Sequence, residues 1–570
     1  MEKISKLAIP PQGCTLRDGF NPKSKDIQVL FKLFVDAPRE MMFLNFILLT
    51  AGGALLSLPL AAQDATLPDS PTQTSPSIFS APRLVADLYP GTAPLVWRTL
   101  PSLNIAAAQE GSPAPRPTQQ PSLMGILSRR GVVDAKNERF NIYGQFTYIS
   151  GWKPSFNAPY TNFNGSINSL LPEAERSFTG TATAYLGLRT WRGGELYFVP
   201  ELISEKPLSE LRGLGGAIQD FELQKGGDVL PTLYRSRLFL KQTIELGGTD
   251  VEKDSGPLQL GTTYKSRRLM FVAGNYSILD FFDKNAFDID PRQGLFSLAF
   301  LTYTAYDFAS DARGYSWGVV TELDWDNWSA RYSRITPPKD PNQLAIDWRL
   351  FKYYGDQVEI EHEHKIHDLE GKVRVLGYRN RENIGNFSRA VSAFEADPAK
   401  NATTCTGFNY GSLNATAPDL CWSRGSHVKE GIGVFAEQYF AKDIGIFGRA
   451  MVSDGKSEVY AYTSTDRSAA VGVLARGKLW KRPFDVTGVG YNAGGISESH
   501  QRYLEMGGVD GFVGDGKLNP GVEMAYDVFY NVNVHKALWF SGDYQHILNP
   551  GFNVDRGLVD VYSLKIHGEF

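Results

Sequence analysis

VEMAYDVFYNVNVH, residues 522–535, decides the fold of this chain. Val522, Met524, Tyr526, Val528, Tyr530, Val532 and Val534 share one parity, and Glu523, Asp527, Asn531, Asn533 and His535 the other. Adjacent side chains of a β-strand point to opposite faces, so the segment has an apolar face and a polar one. A strand of that length suits a wall between lipid and water.

The same device recurs upstream. In 233–246, Tyr234, Leu238, Leu240, Ile244 and Leu246 oppose Arg235, Arg237, Lys241 and Glu245, with Ser236, Phe239 and Gln242 as exceptions. In 357–366, Gln357, Glu359, Glu361, Glu363 and Lys365 oppose Val358, Ile360, His362, His364 and Ile366. A soluble sandwich also alternates, so the connections have to decide. Tight turns at 191–194, 326–327, 367–370, 442–445 and 481–483 alternate with long segments at 151–177, 204–231, 279–314, 336–355, 382–428 and 493–521. Short turns on one side and long loops on the other predict a closed antiparallel transmembrane β-barrel of about sixteen strands over 138–570. Two places break the rhythm: a long connection at 247–266, and 458–478, which reads as one long strand. Tyr562, Leu564, Ile566, Gly568 and Phe570 share a face of the last strand, and a terminal aromatic there is the signal expected for the barrel assembly machinery.

Bulk properties agree. The 570 residues carry a formal net charge of −4, without the basic excess of a nucleic-acid binder. Phe43–Leu60, FLNFILLTAGGALLSLPL, followed by Ala61 and Ala62, reads as a secretory signal cleaved near Ala62. Residues 1–40 are too long for its leading region, so Met41 or Met42 is the more natural start, and 1–62 counts as an over-long start plus signal. Residues 63–137, rich in Pro, Ser and Thr, read as a flexible periplasmic arm. Of three cysteines, Cys14 lies upstream of the cleavage point, and Cys405 with Cys421 could close a short disulfide in an oxidising compartment.

Several stretches carry a family resemblance: YGQFTYISGWKPSF at 143–156, RTWRGGELYFVPEL at 189–202, PTLYRSRLFLKQT at 231–243, FVAGNYSILDFFDKN at 271–285, DARGYSWG at 311–318, FKYYGDQVEIEHEH at 351–364, GDGKLNPGVEMAYDVFYNVNVH at 514–535 and DYQHILNPGFNVDRG at 543–557. Over 138–570 the chain resembles the OprB-type carbohydrate-selective porins of the Gram-negative outer membrane. The resemblance implies a sixteen-strand barrel and passive uptake of sugars, while some relatives look more like manganese-type porins.

A porin narrows and charges a wet path. Arg235, Arg237 and Lys241 share the polar face of one strand, and Arg268 and Arg374 extend the group as donors for sugar hydroxyls or anions. Glu359, Glu361 and Glu363 form an acidic stripe, and Glu523 and Asp527 line another strand. Asp280, Asp283, Asp288 and Asp290 lie in the long connection 279–314, expected by analogy with general porins to fold into the channel. Tyr197, Phe239 and Tyr378 have lumenal parity, where a ring stacks on a sugar or packs against an inserted loop. Two alternatives remain: a divalent-cation porin, motivated by the acidic clusters, and a membrane-embedded hydrolase barrel. His362 and His364 oppose the glutamates, so one metal could not easily collect both. No cofactor is implied, and the expected partners are outer-membrane lipid and small permeants.

Overall fold

Lipid offers no hydrogen bonds, so a sheet that crosses it must close on itself. This sheet does. The computed structural model describes residues 123–570 except 224–227, 286–291, 401–415, 462 and 536. Its first eight strands are β1 (Phe140–Lys153), β2 (Glu175–Trp191), β3 (Gly194–Lys206), β4 (Thr232–Lys253), β5 (Thr262–Tyr276), β6 (Ser316–Trp325), β7 (Trp328–Ile335) and β8 (Tyr354–Ile366). The other eight are β9 (Leu369–Ile384), β10 (Gly425–Ala441), β11 (Ile444–Ser453), β12 (Arg467–Arg476), β13 (Val486–Gly495), β14 (Glu523–His535), β15 (Leu538–Leu548) and β16 (Val559–Glu569). Each pairs antiparallel with its sequence neighbours, and β1 pairs β16 to close the barrel. At the seam Gly144 and Phe570 exchange backbone hydrogen bonds of 2.9 Å. The Phe570 ring covers Gly144, where a Cβ would lie 2.1 Å from the ring tip, so a larger residue there would have to displace the terminal ring.

Both irregular places resolve. The connection 247–266 is mostly strand: β4 runs to Lys253 and β5 begins at Thr262, with register shifts at Glu245/Gly247 and Gly247/Asp250. The tip of this hairpin folds back toward β1, where Asn141 Nδ2 donates to Gly256 O (3.1 Å) and Gln259 O (2.8 Å). The expected strand 458–478 is only Arg467–Arg476, and 454–466 is a connection that turns inward, burying Val459 and Tyr460. That correction restores a long loop where the alternation of connections requires one. At the other end, tight turns at 326–327 and 367–368 use left-handed Asp326, His367 and Asp368, which suits two-residue hairpins.

The apolar strand face looks outward, with Leu233 and Leu564 each 71 % exposed. The main hydrophobic core lies inside, between the wall and connections that enter the barrel. A second, smaller core forms among the long connections, from Phe387, Val391, Leu420, Ile496, Tyr503 and Phe552 among others.

The apolar run 43–60, the cleavage point near Ala62, Met41, Met42, residues 63–122 of the arm, Cys14, Cys405, Asp288 and Asp290 lie outside the described residues. Leu123–Arg129, assigned to the flexible arm by composition, is a helix whose Met124 is buried near Ile142. Cys421 is disulfide-bonded. Thiol labelling of the intact protein should therefore miss Cys421 until a reductant is added. Strong labelling of Cys421 without reductant would contradict the bond.

Candidate functional site: the charged wall and the inserted loops

Two connections enter the barrel together, 207–231 and 277–315. They are joined by backbone hydrogen bonds from Leu298 N to Ile218 O (2.9 Å) and from Phe221 N to Phe296 O (3.1 Å). Carboxylates of the wall hold them. Glu523 accepts from the N–H groups of Gly215 (2.8 Å), Gly216 (2.7 Å), Ala217 (2.8 Å) and Gly551 (2.7 Å). Asp527, on the same face of β14, accepts from Phe296 N (3.0 Å) and Ser297 N (2.9 Å). A carboxylate that satisfies several loop N–H groups fixes a segment that would otherwise bury unpaired donors. The connection 454–466 joins them through Asp307, which accepts from Tyr460 N and Ala461 N at 3.0 Å and pairs with Lys429 at 3.2 Å.

Opposite runs a ladder of ion pairs. Lys241 meets Glu195 at 2.6 Å, and Arg237 makes a bidentate pair with Asp280 at 2.7 Å. Arg268 meets Asp324 at 2.7 Å. Arg331 bridges Glu359 (2.7 Å) and Glu361 (3.0 Å) and also contacts Glu322. Arg374 joins Glu361 (2.6 Å) to Glu437 (3.4 Å), Lys372 contacts Glu363, and Arg449 meets Asp283 at 3.0 Å. The guanidinium of Arg449 also lies 5.0 Å over Phe435 and 5.4 Å over Tyr303. Arg374 Nη1, Arg449 Nη2 and Tyr303 Oη are buried without a hydrogen-bond partner among the described residues.

The sequence candidates distribute unevenly. Arg237, Lys241, Arg374, Asp280, Asp283, Glu359, Glu361 and Glu363 belong to the ladder. Glu523 and Asp527 are loop tethers. Arg235 is a correction. A bulge between Val199 and Pro200 leaves Ser236 unpaired, so Tyr234 pairs with Glu201 and Arg235 with Pro200. Tyr234 therefore turns inward and hydrogen-bonds Glu201, and Arg235 turns outward, its guanidinium 5.0 Å over the outward ring of Trp317. Parity arguments assume an unbroken strand, and one extra residue inverts them. Tyr197, Phe239 and Tyr378 pack against neighbours rather than standing open: Phe239 lies 5.9 Å from Phe281, and Tyr378 5.4 Å from Tyr306 of the inserted connection. His362 stacks on Trp328 at 4.2 Å.

Arg331 and Arg449, central to the ladder, escaped the sequence reading although both sit at lumenal parity on recognised strands. Asp307, Lys429 and His500 escaped because their partners are remote in the chain.

The sequence of residues 186–570 matches the family described as carbohydrate-selective porin, OprB family. Among solved structures, Pseudomonas putida OprB at high pH shares 14% identity and a TM-score of 0.53, covering 76% of this chain and 94% of that one. The low-pH structure of the same protein shares 11% identity with a TM-score of 0.40, covering 81% and 100%. The Acinetobacter baumannii channel DcaP shares 10% with a TM-score of 0.41, covering 76% and 97%. No curated protein matches the sequence.

Proposed function

We propose, from the premise that this chain belongs to the carbohydrate-selective OprB porin family, that small neutral sugars diffuse along its lumen past the ion-pair ladder and the inserted loops. The chain is an outer-membrane porin. What supports sugars over divalent cations is the state of the carboxylates. Each described acidic candidate of the ladder already faces a cation: Asp280 has Arg237, Asp283 has Arg449, Glu359 has Arg331, Glu361 has Arg331 and Arg374, and Glu363 has Lys372. A divalent ion seeks several free oxygens and would have to displace these guanidinium groups. A neutral polyol needs donors and acceptors side by side, with no strong net field, and exchanges water hydrogen bonds for those of the wall. The same pairing argues against a hydrolase, whose two carboxylates must be free to move protons. Phe570, seated on Gly144, is the residue we assign to recognition by the assembly machinery.

Planar-bilayer recording tests the reading. Sugars should block the ion current saturably, and manganese should not dominate permeability. Arg374→Ala removes the cation shared by Glu361 and Glu437, so it should tilt selectivity toward cations and weaken sugar block by about tenfold, the equivalent of one lost charge-assisted hydrogen bond. Wild-type channels that ignore sugars and conduct manganese preferentially would overturn the sugar reading.

A further inference from the structure

The bulge that turns Arg235 out of the lumen places a cation on the lipid side of the wall. Near the bilayer midplane such a residue is costly, but close to the interface it is tolerated. The place of Arg235 in its strand fits the latter. It lies three residues inside the start of β4, at the end of the barrel that carries the long connections, about 10 Å from the strand end. Among the described residues no carboxylate pairs with it, and its Nε reaches only Asn275 Oδ1 at 3.4 Å. Elsewhere on the outer face Arg334 is held by Asp356 at 2.6 Å and Arg379 by Glu430 at 2.7 Å, whereas Arg381 and Arg467 reach only Ser426 Oγ and Ile496 O.

Around Arg235 the surface forms a cavity of about 360 Å³, lined by Arg313, Trp317, Leu344 and Ile346 among others. Asp311 also lines it, but its carboxylate accepts from the N–H groups of Arg313 and Tyr315 at 3.0 Å each. The connection 336–353 bends over this end of the wall, so that Trp348 lies 5.7 Å from Trp317. Trp348 is 64 % exposed and Phe351 87 % exposed. An outward guanidinium, the rings of Trp317 and Trp348 and the side chains of Leu344 and Ile346 thus lie together at this end of the wall.

We infer that this cavity binds the phosphate-bearing sugar headgroup of an outer-leaflet glycolipid. Arg235 meets the phosphate through charge-assisted hydrogen bonds, Trp317 and Trp348 cover the sugar ring, and Leu344 and Phe351 lie against the first methylenes of the acyl chains. A permeating sugar fits less well, because Arg235 and Trp317 lie on the lipid side and the exposed Trp348 and Phe351 would face water in vain. The volume is that of a small-ligand site.

The test is native mass spectrometry of the detergent-solubilised full chain, titrated with bisphosphorylated lipid A and with the same lipid after dephosphorylation. One bound phosphorylated lipid is expected, with the dephosphorylated form binding at least about tenfold more weakly. Arg235→Ala should lose about tenfold in affinity and Arg235→Lys less, since the ammonium keeps the charge but not the fork. Heat-modifiable gel mobility reports whether each variant is folded; should R235A not assemble, Trp348→Ala makes the same comparison. Equal affinity of R235A and wild type, or of the two lipids, overturns the proposal. So does finding the face covered by a second copy of the chain, seen as a dimer that excludes lipid and is lost in W348A.

Discussion

Glu523→Ala is expected to release the 207–231 connection from the wall, raising single-channel conductance and weakening sugar block together. One carboxylate accepts four backbone N–H groups, three of them from consecutive residues of that connection. Hydrogen bonds to a charged group contribute about 1.5–3 kcal/mol each, and their loss leaves buried donors unmet. The four are not additive, but a loss of roughly 3–5 kcal/mol multiplies the undocked population by about 10²–10⁴. Asp527→Ala should act likewise on 277–315 through Phe296 and Ser297. Because Leu298 bonds Ile218 and Phe221 bonds Phe296, each loop supports the other, and the double variant should exceed the sum of the singles. Glu523→Gln keeps one acceptor oxygen and should fall between. A folded E523A channel with wild-type conductance and block would show that the tether does not hold the loop.

Raising the pH from 7 to 10 is expected to loosen the external cap around Glu498–Glu505. Its His500 is fully buried, with Nδ1 3.1 Å from Asp466 and Nε2 3.2 Å from Asp510, and its ring stacks on Phe387 at 4.2 Å. Burial alone would lower its pKa; the charge of Asp466 and its hydrogen bond, with Asp510 behind them, reverse this and raise it to about 9. Lys429 also acts on Asp466, lowering its pKa further. A folded-state pKa above the unfolded value of about 6.5 means that the stabilisation is complete below that value and vanishes as pH rises through the folded one. The shift corresponds to roughly 3 kcal/mol of local stability. Hydrogen exchange of the 498–505 amides, corrected for intrinsic rate, should lose protection between pH 7 and 10. His500→Phe should lack that pH dependence, and protection in the wild type that stays flat over the range would refute the role of the imidazolium.

Alternation over 522–535 and its repeats, taken with the alternation of short turns and long connections, was enough to read a closed barrel of about sixteen strands. Side-chain parity is a local property, and outward apolar residues such as Leu564 and Leu233 are dictated by lipid alone. Parity also placed Glu359, Glu361, Arg237 and Arg374 on the wet face, and it would have placed Arg331 and Arg449 there had they been sought. The fold decided what lies off the local pattern. Ser236 inverted Arg235 because a bulge depends on how β3 and β4 pair, and nothing in 231–243 by itself announces it. Glu523 and Asp527, read as pore lining, became tethers because their partners in the inserted connections are backbone N–H groups about 230–310 positions away in the chain. A backbone amide carries no residue identity, so no motif records that it will meet a carboxylate. Only closing the barrel, which brings β14 opposite the connections after β3 and β5, puts donor and acceptor within reach.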